Sequence, residues 1–404
     1  MALRDWGKSH RFAGSKDRSA IGNIVLDALR KKSSIAFRMN DDSPRSLALG
    51  AAVFSGGITV EDILEQTQGD QHFGEPLTED QIAKLKGQID LETAPEWVRA
   101  DVPDWLWPAF ETNFDEEAII EGAALTNRPP MDVRANAIKS KREELNLSDK
   151  AEPTPISPVG MRFPPVVGSG RHPNIQSDPD FLTGKLEIQD EGSQIVSLLV
   201  AAKPGEKILD YCAGGGGKSL ALASEMNNEG AVHSFDIDKR RLAPTYERAA
   251  RAGATIIKVV QPPAKSLNNL RGSMDRVLVD APCTGVGTWR RKPDAKWRLT
   301  EDALGRRMQE QVKVLDEAKH FVKPGGLLFY VTCSMLAAEN EAQVYAFLER
   351  DSDFTLLSAG EVWEDRLGVD VPKPWSADGC TLTLSPASTN TDGFFFAVME
   401  KTSE

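Results

Sequence analysis

The sequence predicts an α/β fold in which a mostly parallel, doubly wound sheet follows an all-helical segment and a small α+β module. From about residue 186 onward, short apolar runs alternate with amphipathic segments of helical period, which is typical of a parallel sheet covered by helices on both faces. A glycine-rich loop follows the first apolar run. Polar residues stand at the ends of successive runs, where ligands bind in sheets of this class.

The composition is that of an ordinary globular protein. The chain has 404 residues, 40% of them hydrophobic and 27% charged, enough for two or three domains with separate cores. No apolar signal segment opens the chain, and no apolar run reaches the ~18 residues of a membrane span. The four cysteines form no CxxC pair and there are five histidines. We therefore expect a cytoplasmic monomer with reduced thiols, no membrane contact and no metal.

The charge is unevenly distributed along the chain. The net charge of −12 argues against indiscriminate nucleic-acid binding, because affinity for phosphate follows local cations. However, residues 1–46 are basic and residues 61–121 strongly acidic. Such segregation permits an RNA path on one face of an acidic protein.

Residues 1–122 are predicted to form helices. The segment from Ile21 to Leu29 carries apolar residues at helical spacing, and Thr78 followed by two acidic residues is typical of a helix start. Three aromatic residues are interpreted as core, with stacking on exposed RNA bases as the alternative. They are Trp105, Trp107 and Phe110.

Residues 123–185 are predicted to form the small α+β module. MDVRANAI alternates like a strand, SKREELNL has the period of a helix, and a proline-rich piece follows. The module is mildly basic, and we interpret its charges as solvated surface, with RNA contact as the alternative.

Residues 186–404 are predicted to form the doubly wound sheet, ending in antiparallel strands between FTLLSAGEVW and DGFFFAVMEK. Helices are expected at EGSQIVSLLVAA, KRRLAPTYERAARAG, EDALGRRMQEQVKVLDEAKHFV and AENEAQVYAFLER. The parallel strands are expected at KILDYC, GAVHSFDID, TIIKVV, DRVLVDAP and GGLLFYVTCS.

The loop CAGGGGKS after the first strand predicts a nucleotide-type cofactor site. Its glycines permit close approach of a ligand, and a helix N-terminus follows. Asp236 stands 22 residues after Gly214, a spacing at which a carboxylate accepts hydrogen bonds from a ribose diol. Because the loop is not GxGxxG, we favour S-adenosylmethionine over NAD. The alternative for Asp236 is a helix-capping aspartate.

Two cysteines follow neighbouring predicted strands. Cys283 ends the fourth strand and Cys333 the fifth, and adjacent strands lie about 5 Å apart, so the thiols are expected to face one pocket. The alternative is that each is a small buried hydrophobe. A nearby cation would lower a thiol pKa, and the basic segment 290–298 is the expected source. Its cations are Arg290, Arg291, Lys292, Lys296 and Arg298.

Four stretches carry a family resemblance. CAGGGGK, DAPC with TGVGTWRRKPDAKWR, KPGGLLFYVTCS and DGFFFAVMEK resemble the RNA cytosine-5 methyltransferases of the NOL1/NOP2/Sun type, in particular the bacterial ribosomal-RNA enzymes. The resemblance covers about residues 120–400. It implies a Rossmann-like S-adenosylmethionine methyltransferase domain at 186–404, an RNA-binding α+β module at 123–185 and, more loosely around HRFAGSKDRSAI, a shortened NusB-like RNA-binding domain at 1–122.

The resemblance also implies roles for residues. Cys333 would add to C6 of a cytosine, Cys283 would assist release, and Asp280 would hydrogen-bond the cytosine edge. Gln261 stands where the family has an aspartate on the adenine edge, and Gly215 where it often has proline. The cofactor, S-adenosyl-L-methionine, would be held by Cys212, Ala213, Gly214, Gly215, Gly216, Gly217, Lys218, Asp236, Gln261 and Asp280.

Two other functions stay open at this stage. One is a non-catalytic RNA-binding factor of ribosome assembly on the same scaffold, and the other is a cytosine-5 methyltransferase that acts on tRNA instead of ribosomal RNA. An amino-group methyltransferase is disfavoured, because the fourth strand ends in DAPC where such enzymes need an N/D-P-P-Y/F type motif.

Overall fold

The structure, a computed structural model, describes residues 2–67, 75–148 and 150–402. The chain divides into two compact units. Unit 1 comprises the residues up to Pro129 with Pro165–His172 and Trp289–Arg298, and unit 2 comprises Pro130–Pro164, Pro173–Thr288 and the residues from Leu299 onward. The division expected at 1–122, 123–185 and 186–404 stays a prediction, because compactness does not show which segments fold independently.

The secondary structure is numbered in chain order. The described helices are α1 (Ala2–Ser9), α2 (Ser15–Arg30), α3 (Lys32–Met39), α4 (Pro44–Phe54), α5 (Val60–Thr67), α6 (Glu79–Leu85), α7 (Glu96–Arg99), α8 (Trp107–Phe114), α9 (Ala118–Ala124), α10 (Pro179–Leu182), α11 (Glu191–Leu198), α12 (Gly217–Glu225), α13 (Lys239–Leu242), α14 (Pro244–Ala252), α15 (Pro293–Arg298), α16 (Glu301–Ala318), α17 (Glu341–Arg350) and α18 (Ala359–Leu367). The described strands are β1 (Met131–Ala135), β2 (Glu152–Pro153), β3 (Gly160–Phe163), β4 (Leu186–Ile188), β5 (Lys207–Asp210), β6 (Ala231–Phe235), β7 (Ile257–Val260), β8 (Met274–Asp280), β9 (Val322–Thr332), β10 (Phe354–Leu357), β11 (Leu382–Leu384) and β12 (Phe394–Lys401).

Unit 1 is helical where it is described, with α1–α9 and α15. Thr78 caps α6, since its hydroxyl accepts a hydrogen bond from the Gln81 N–H at 3.1 Å, as expected for this helix start. Trp107 and Phe110 are buried, as expected for core aromatics, whereas Trp105 is only half-buried. No described helix is both long enough and apolar enough to cross a bilayer.

Unit 2 begins with a small antiparallel sheet in the order β2-β3-β1-β4. The strand expected at MDVRANAI is present as β1. The helix expected at SKREELNL is wrong, because only a single 3-10 turn, Arg142–Glu144, forms there. Leu145 is extended and the Asn146 N–H donates to the Asp180 carboxylate at 2.8 Å, so the chain leaves the helical path after one turn.

The large sheet of unit 2 has the order β10-β12-β9-β8-β5-β6-β7, with β11 paired to β12. Strands β5 to β9 are mutually parallel, and β12 runs antiparallel to β9. The strand order reverses at β5, which places a ligand crevice at its carboxyl end. Ile208 and Leu209 of β5 belong to two different cores, because successive side chains point to opposite faces of a strand.

Two predicted elements of unit 2 differ in detail. The helix after β6 is divided into α13 and α14, because Pro244 lies at a first-turn position of α14 and proline cannot continue a preceding helix. The segment after β10 forms α18 rather than a strand, and Ser358 caps it by accepting the Glu361 N–H at 3.2 Å. The expected antiparallel strands are β10, β11 and β12.

Candidate active site

The glycine loop between β5 and α12 is held in one conformation by its neighbours. The Ala213 N–H donates to the Phe235 carbonyl at 2.8 Å, and the Gly214 N–H donates to the Asp236 carboxylate at 3.0 Å. Gly216 has φ +79°, and a Cβ there would lie 2.7 Å from the Thr245 side chain. A side chain at this position would therefore meet both backbone strain and a clash.

Asp236 lies at the end of β6 with its side chain only 3% exposed. Its second oxygen accepts the Asp238 N–H at 2.9 Å. The helix-capping role belongs to Asp238, which accepts the Arg240 N–H at the start of α13. Asp236 is thus turned toward the glycine loop, and the capping alternative does not describe it.

A cavity of about 430 Å³ lies beside this loop, within the range of small-molecule sites. Cys212 and Asp236 form part of its lining, together with the apolar side chains of Ile237, Ala264 and Pro282. Ile237 is 71% exposed and contributes apolar surface to this lining. An acidic acceptor beside an apolar wall fits a nucleoside, with the carboxylate at the sugar and the apolar wall at the base.

Two predicted cofactor residues need separate comment. Gln261 is absent from the lining of this cavity, and its amide donates to the Tyr246 hydroxyl at 2.8 Å. Its predicted contact with adenine stays a prediction. Burial, reinforced by the charges of Asp236 and Asp280, raises the pKa of the Cys212 thiol well above its usual range. Cys212 is therefore a protonated thiol in the cavity lining.

The thiols of Cys283 and Cys333 lie together at the carboxyl ends of β8 and β9. Their sulfur atoms are 3.3 Å apart, and both cysteines are free and half-buried. The Gly287 N–H donates to the Cys333 carbonyl at 3.0 Å, which ties the loop after β8 to the end of β9. The two thiols therefore lie at one site, and the roles expected of them stay a prediction.

The resting state of this pair is protonated at Cys283. The hydrogen bond with Cys333, burial, the charge of Cys333 and the charge of Glu339 all raise the pKa of Cys283 well above its usual range. A thiol with a raised pKa is a strong base once it has lost its proton. The arrangement therefore suits one nucleophilic sulfur and one basic sulfur at a single reaction centre.

Lys218 supplies a cation to this site. Its ammonium donates to the Asp280 carboxylate at 2.7 Å. Burial lowers the pKa of Lys218, but the charges of Asp280 and Cys333 raise it, and the net shift is upward. Lys218 thus stays charged at neutral pH and stabilises an anionic Cys333 sulfur.

The basic segment 290–298 is the expected source of a cation, and this stays a prediction except at Lys296. Lys296, in the basic segment 290–298, is buried within unit 1, where its ammonium donates to the carbonyls of Arg30 and Asp101 at 2.8 and 2.7 Å. The side chain of Lys218 was missed, because sequence reasoning assigned only its backbone to the cofactor loop. Its position at the first turn of α12, facing the end of β8, was the available signal.

Comparison with known families decides the assignment. The family described as 16S rRNA methyltransferase RsmB/F matches residues 197–400. The chain belongs to the RsmB/F family. This confirms the resemblance to methyltransferases of the NOL1/NOP2/Sun type and the Rossmann-like methyltransferase fold of the large sheet.

Individual relatives agree with this family. The chain is similar to a Bacillus subtilis (strain 168) protein named probable ribosomal RNA small subunit methyltransferase B, at 34% identity over 303 residues, 74% of this chain and 66% of the relative. A Synechocystis protein of the same name is 32% identical over 78% of this chain and 70% of the relative. The chain thus spans about two thirds of the length of these relatives. The crystal structure of PH0851 has a TM-score of 0.74 at 24% identity, covering 98% of this chain and 93% of its own.

Gly215, which stands where the family often has proline, is held by an arginine. The Arg248 guanidinium donates to the Gly215 carbonyl at 2.6 Å. The same guanidinium is paired with the buried Glu187 carboxylate of β4 at 3.0 Å. The hydrogen bond restrains a loop that would otherwise have the freedom of consecutive glycines.

Asp210, at the end of β5, is a buried carboxyl that sequence reasoning missed. One oxygen accepts the Ser219 hydroxyl at 2.6 Å, and the other has no hydrogen-bond partner among the described residues. Burial raises the pKa of Asp210 to about 7, although the Ser219 hydrogen bond opposes the shift. Below pH 7 Asp210 is therefore mostly uncharged, and at pH 7 about half of the molecules carry the charge.

We expect Asp210→Asn to flatten the pH dependence of stability. Between pH 4 and 7 the folded protein keeps the Asp210 proton while the unfolded chain releases it, so the free energy of unfolding falls as the pH rises. An amide has no such proton, so the variant lacks this fall in the free energy of unfolding. Between pH 4 and 7 its free energy of unfolding therefore rises, relative to that of wild type, by on the order of 4 kcal/mol. Melting temperatures at pH 4.5 and 7.5 measure the difference, and an equal pH dependence in both proteins would refute it.

Proposed function

We propose that this chain transfers a methyl group from S-adenosyl-L-methionine to C5 of a cytosine in RNA, and that the RNA is small-subunit ribosomal RNA. The observation that carries the proposal is the 3.3 Å separation of the Cys283 and Cys333 sulfur atoms. Membership in the RsmB/F family supports the same substrate class. Two thiols at the cofactor edge of a methyltransferase sheet suit covalent activation of a pyrimidine.

The cofactor residues fit the parts of the methyl donor. The glycine loop from Cys212 to Lys218 would hold the methionine part and the ribose, Asp236 would accept hydrogen bonds from the ribose hydroxyls, and Ile237 would offer apolar surface to the adenine. Bound S-adenosylmethionine supplies an electrophilic methyl group. The chain's own residues must then make the cytosine nucleophilic, because C5 of cytosine is a poor nucleophile by itself.

Cys333 is the nucleophile in this proposal. Its thiolate, stabilised by Lys218, forms a bond to C6, and the electron pair of the C5–C6 double bond moves to make C5 an enamine-like carbon while N3 takes a proton. Asp280 hydrogen-bonds the cytosine edge and supports that protonation. C5 then takes the methyl group, which leaves C5 carrying both the methyl group and its original proton.

Cys283 is the base that completes the reaction. Two of the causes that raise its pKa, the hydrogen bond with Cys333 and the charge of Cys333, disappear once Cys333 is bonded to carbon. Cys283 therefore loses its own proton more readily in the adduct than in the resting enzyme. Its thiolate removes the C5 proton, the C5–C6 double bond forms again, N3 gives up its proton, and Cys333 leaves as a thiolate.

The target cytosine has to leave its stack to reach this site, since both thiols lie at a recessed strand edge. Unstacking costs a few kcal/mol in a duplex and least in a loop or single strand. The proposal therefore favours a cytosine in an unpaired stretch of the RNA.

The proposal is tested with in-vitro transcribed small-subunit ribosomal RNA that carries tritium at C5 of its cytosines. We expect one tritium released for each methyl group transferred from labelled S-adenosylmethionine. Methyl transfer without tritium release would refute attack at C5. If the RNA binds but neither methyl transfer nor tritium release occurs, the non-catalytic assembly factor is favoured. If methyl transfer occurs only when tRNA is supplied, tRNA replaces ribosomal RNA as the proposed substrate.

We expect Arg248→Met to weaken cofactor binding by about 10-fold, because the variant loses one charge-assisted hydrogen bond to the Gly215 carbonyl. Isothermal titration of S-adenosylmethionine without RNA measures the dissociation constant. The matched control is Arg240→Met, which removes an arginine that is 89% exposed and paired with Asp238. An unchanged constant in Arg248→Met, with the fold intact by melting temperature, would contradict the assigned role of Arg248.

A further inference from the structure

The turn that carries Cys283 is held on both sides by two buried side chains that the reaction above does not use. The Glu339 carboxylate accepts the Thr284 N–H at 2.9 Å and the Thr284 hydroxyl at 2.5 Å. The Gln311 amide donates to the Pro282 carbonyl at 2.9 Å and to Glu339 at 3.0 Å. The backbone immediately before and immediately after Cys283 is thus fixed by one connected pair of side chains.

Glu339 is itself held rigidly. It ends the 3-10 turn Ala337–Glu339, it is fully buried, and its backbone carbonyl accepts the Tyr330 hydroxyl at 2.6 Å. Its carboxylate receives hydrogen bonds from two N–H groups and one hydroxyl, the pattern of an ionised, acceptor-only group. A buried carboxylate is unfavourable unless it is satisfied in this way, so its position next to a reactive thiol calls for an explanation.

The Glu339 charge also acts on the Cys283 sulfur. Among the described residues, Cys333, Glu339 and Tyr330 act electrostatically on Cys283, and the Lys218 ammonium, paired with Asp280, acts on Cys333 in the same site. When Cys333 is bonded to the base, Glu339 is the one of the first three groups that still carries a negative charge. It then keeps Cys283 a strong base during removal of the C5 proton.

We propose that Glu339 is a positioning residue for the release step: it fixes the 282–284 turn so that the Cys283 sulfur meets the C5 proton of the methylated adduct. The inference rests on the proposed cytosine-5 methylation and deepens it. It predicts that losing Glu339 harms release more than it harms addition. Cys333 directly follows β9, and its carbonyl is held by the Gly287 N–H at 3.0 Å, whereas Glu339 holds residues 282–284 directly and through Gln311.

The test is a single-turnover reaction of Glu339→Gln with the tritiated small-subunit RNA transcript and S-adenosylmethionine. We expect adduct formation within about 3-fold of wild type, tritium release slowed by about 10- to 100-fold, and accumulation of the covalent adduct. The rising limb of the release rate should also move to lower pH, because removing the Glu339 charge lowers the pKa of Cys283. A merely structural residue would not move that limb.

The matched control is Glu341→Gln, the same substitution two residues further on. The Glu341 carboxylate is buried and has no hydrogen-bond partner among the described residues, so this variant should release tritium as wild type does. Equal slowing of addition and release in Glu339→Gln, or the same defect in Glu341→Gln, would overturn the inference. The inference would also be overturned if Glu339→Gln released tritium at the wild-type rate while Cys283→Ala trapped the adduct. If wild type transfers no methyl group and Cys283→Ala traps nothing, the proposed function itself fails.

Discussion

Cys283→Ala is expected to remain covalently bound to its RNA after methyl transfer, instead of releasing the product. Without the Cys283 sulfur, the proposed base for the proton left on C5 after methylation is lost, so the bond between Cys333 and C6 persists. Loss of a general base lowers turnover by about 10²- to 10⁴-fold. The adduct should appear as a shifted protein band in a denaturing gel, and its yield should reach a large fraction of the enzyme when RNA and cofactor are in excess.

The control for this prediction is Cys380→Ala. Cys380 is a free, half-buried cysteine whose N–H donates to Asp378 at 2.7 Å, and it lines neither the thiol pair nor the cofactor cavity. The control should turn over normally and show no shifted band. A shifted band of equal yield in wild type, Cys380→Ala and Cys283→Ala would show that Cys283 does not assist release.

Cys333→Ala is expected to abolish methyl transfer. Removing the nucleophile leaves C5 unactivated, and losses of about 10⁴-fold or more are usual when a covalent catalyst is deleted. Neither the adduct nor tritium release should be detectable, while the dissociation constant of S-adenosylmethionine stays near the wild-type value. The double variant Cys283→Ala/Cys333→Ala should also give no shifted band. An adduct that forms in Cys333→Ala would mean that another residue attacks the base.

The parallel sheet and its thiol pair were predictable from the sequence because both follow from one geometric rule. Strands β8 and β9 are neighbours in register, with Asp280 opposite Val331, so residues just beyond their ends must meet. The rule needs only that the two strands be adjacent and parallel. Asp236 and the glycine loop followed in the same way from strand order, as the topology places β6 next to β5.

The parts of the site that could not be predicted depend on side-chain contacts between residues that are far apart in the sequence. Glu339 lies 55 residues from Thr284, and Arg248 lies 33 residues from Gly215. Neither pairing has a local signal, since a Glu in a turn and an Arg on a helix are ordinary surface residues in a sequence. The contacts of Lys296 were unpredictable for the same reason. Its basic neighbours suggested a cation near the thiols, but its ammonium donates to two carbonyls inside unit 1.

The most direct measurement of the central claim is mass spectrometry of the covalent complex trapped by Cys283→Ala after digestion with protease and ribonuclease. The account predicts a single cross-linked peptide containing Cys333, joined to a cytosine that already carries the transferred methyl group. A cross-link through any other residue, or a trapped cytosine without the methyl group when S-adenosylmethionine is saturating, would contradict it.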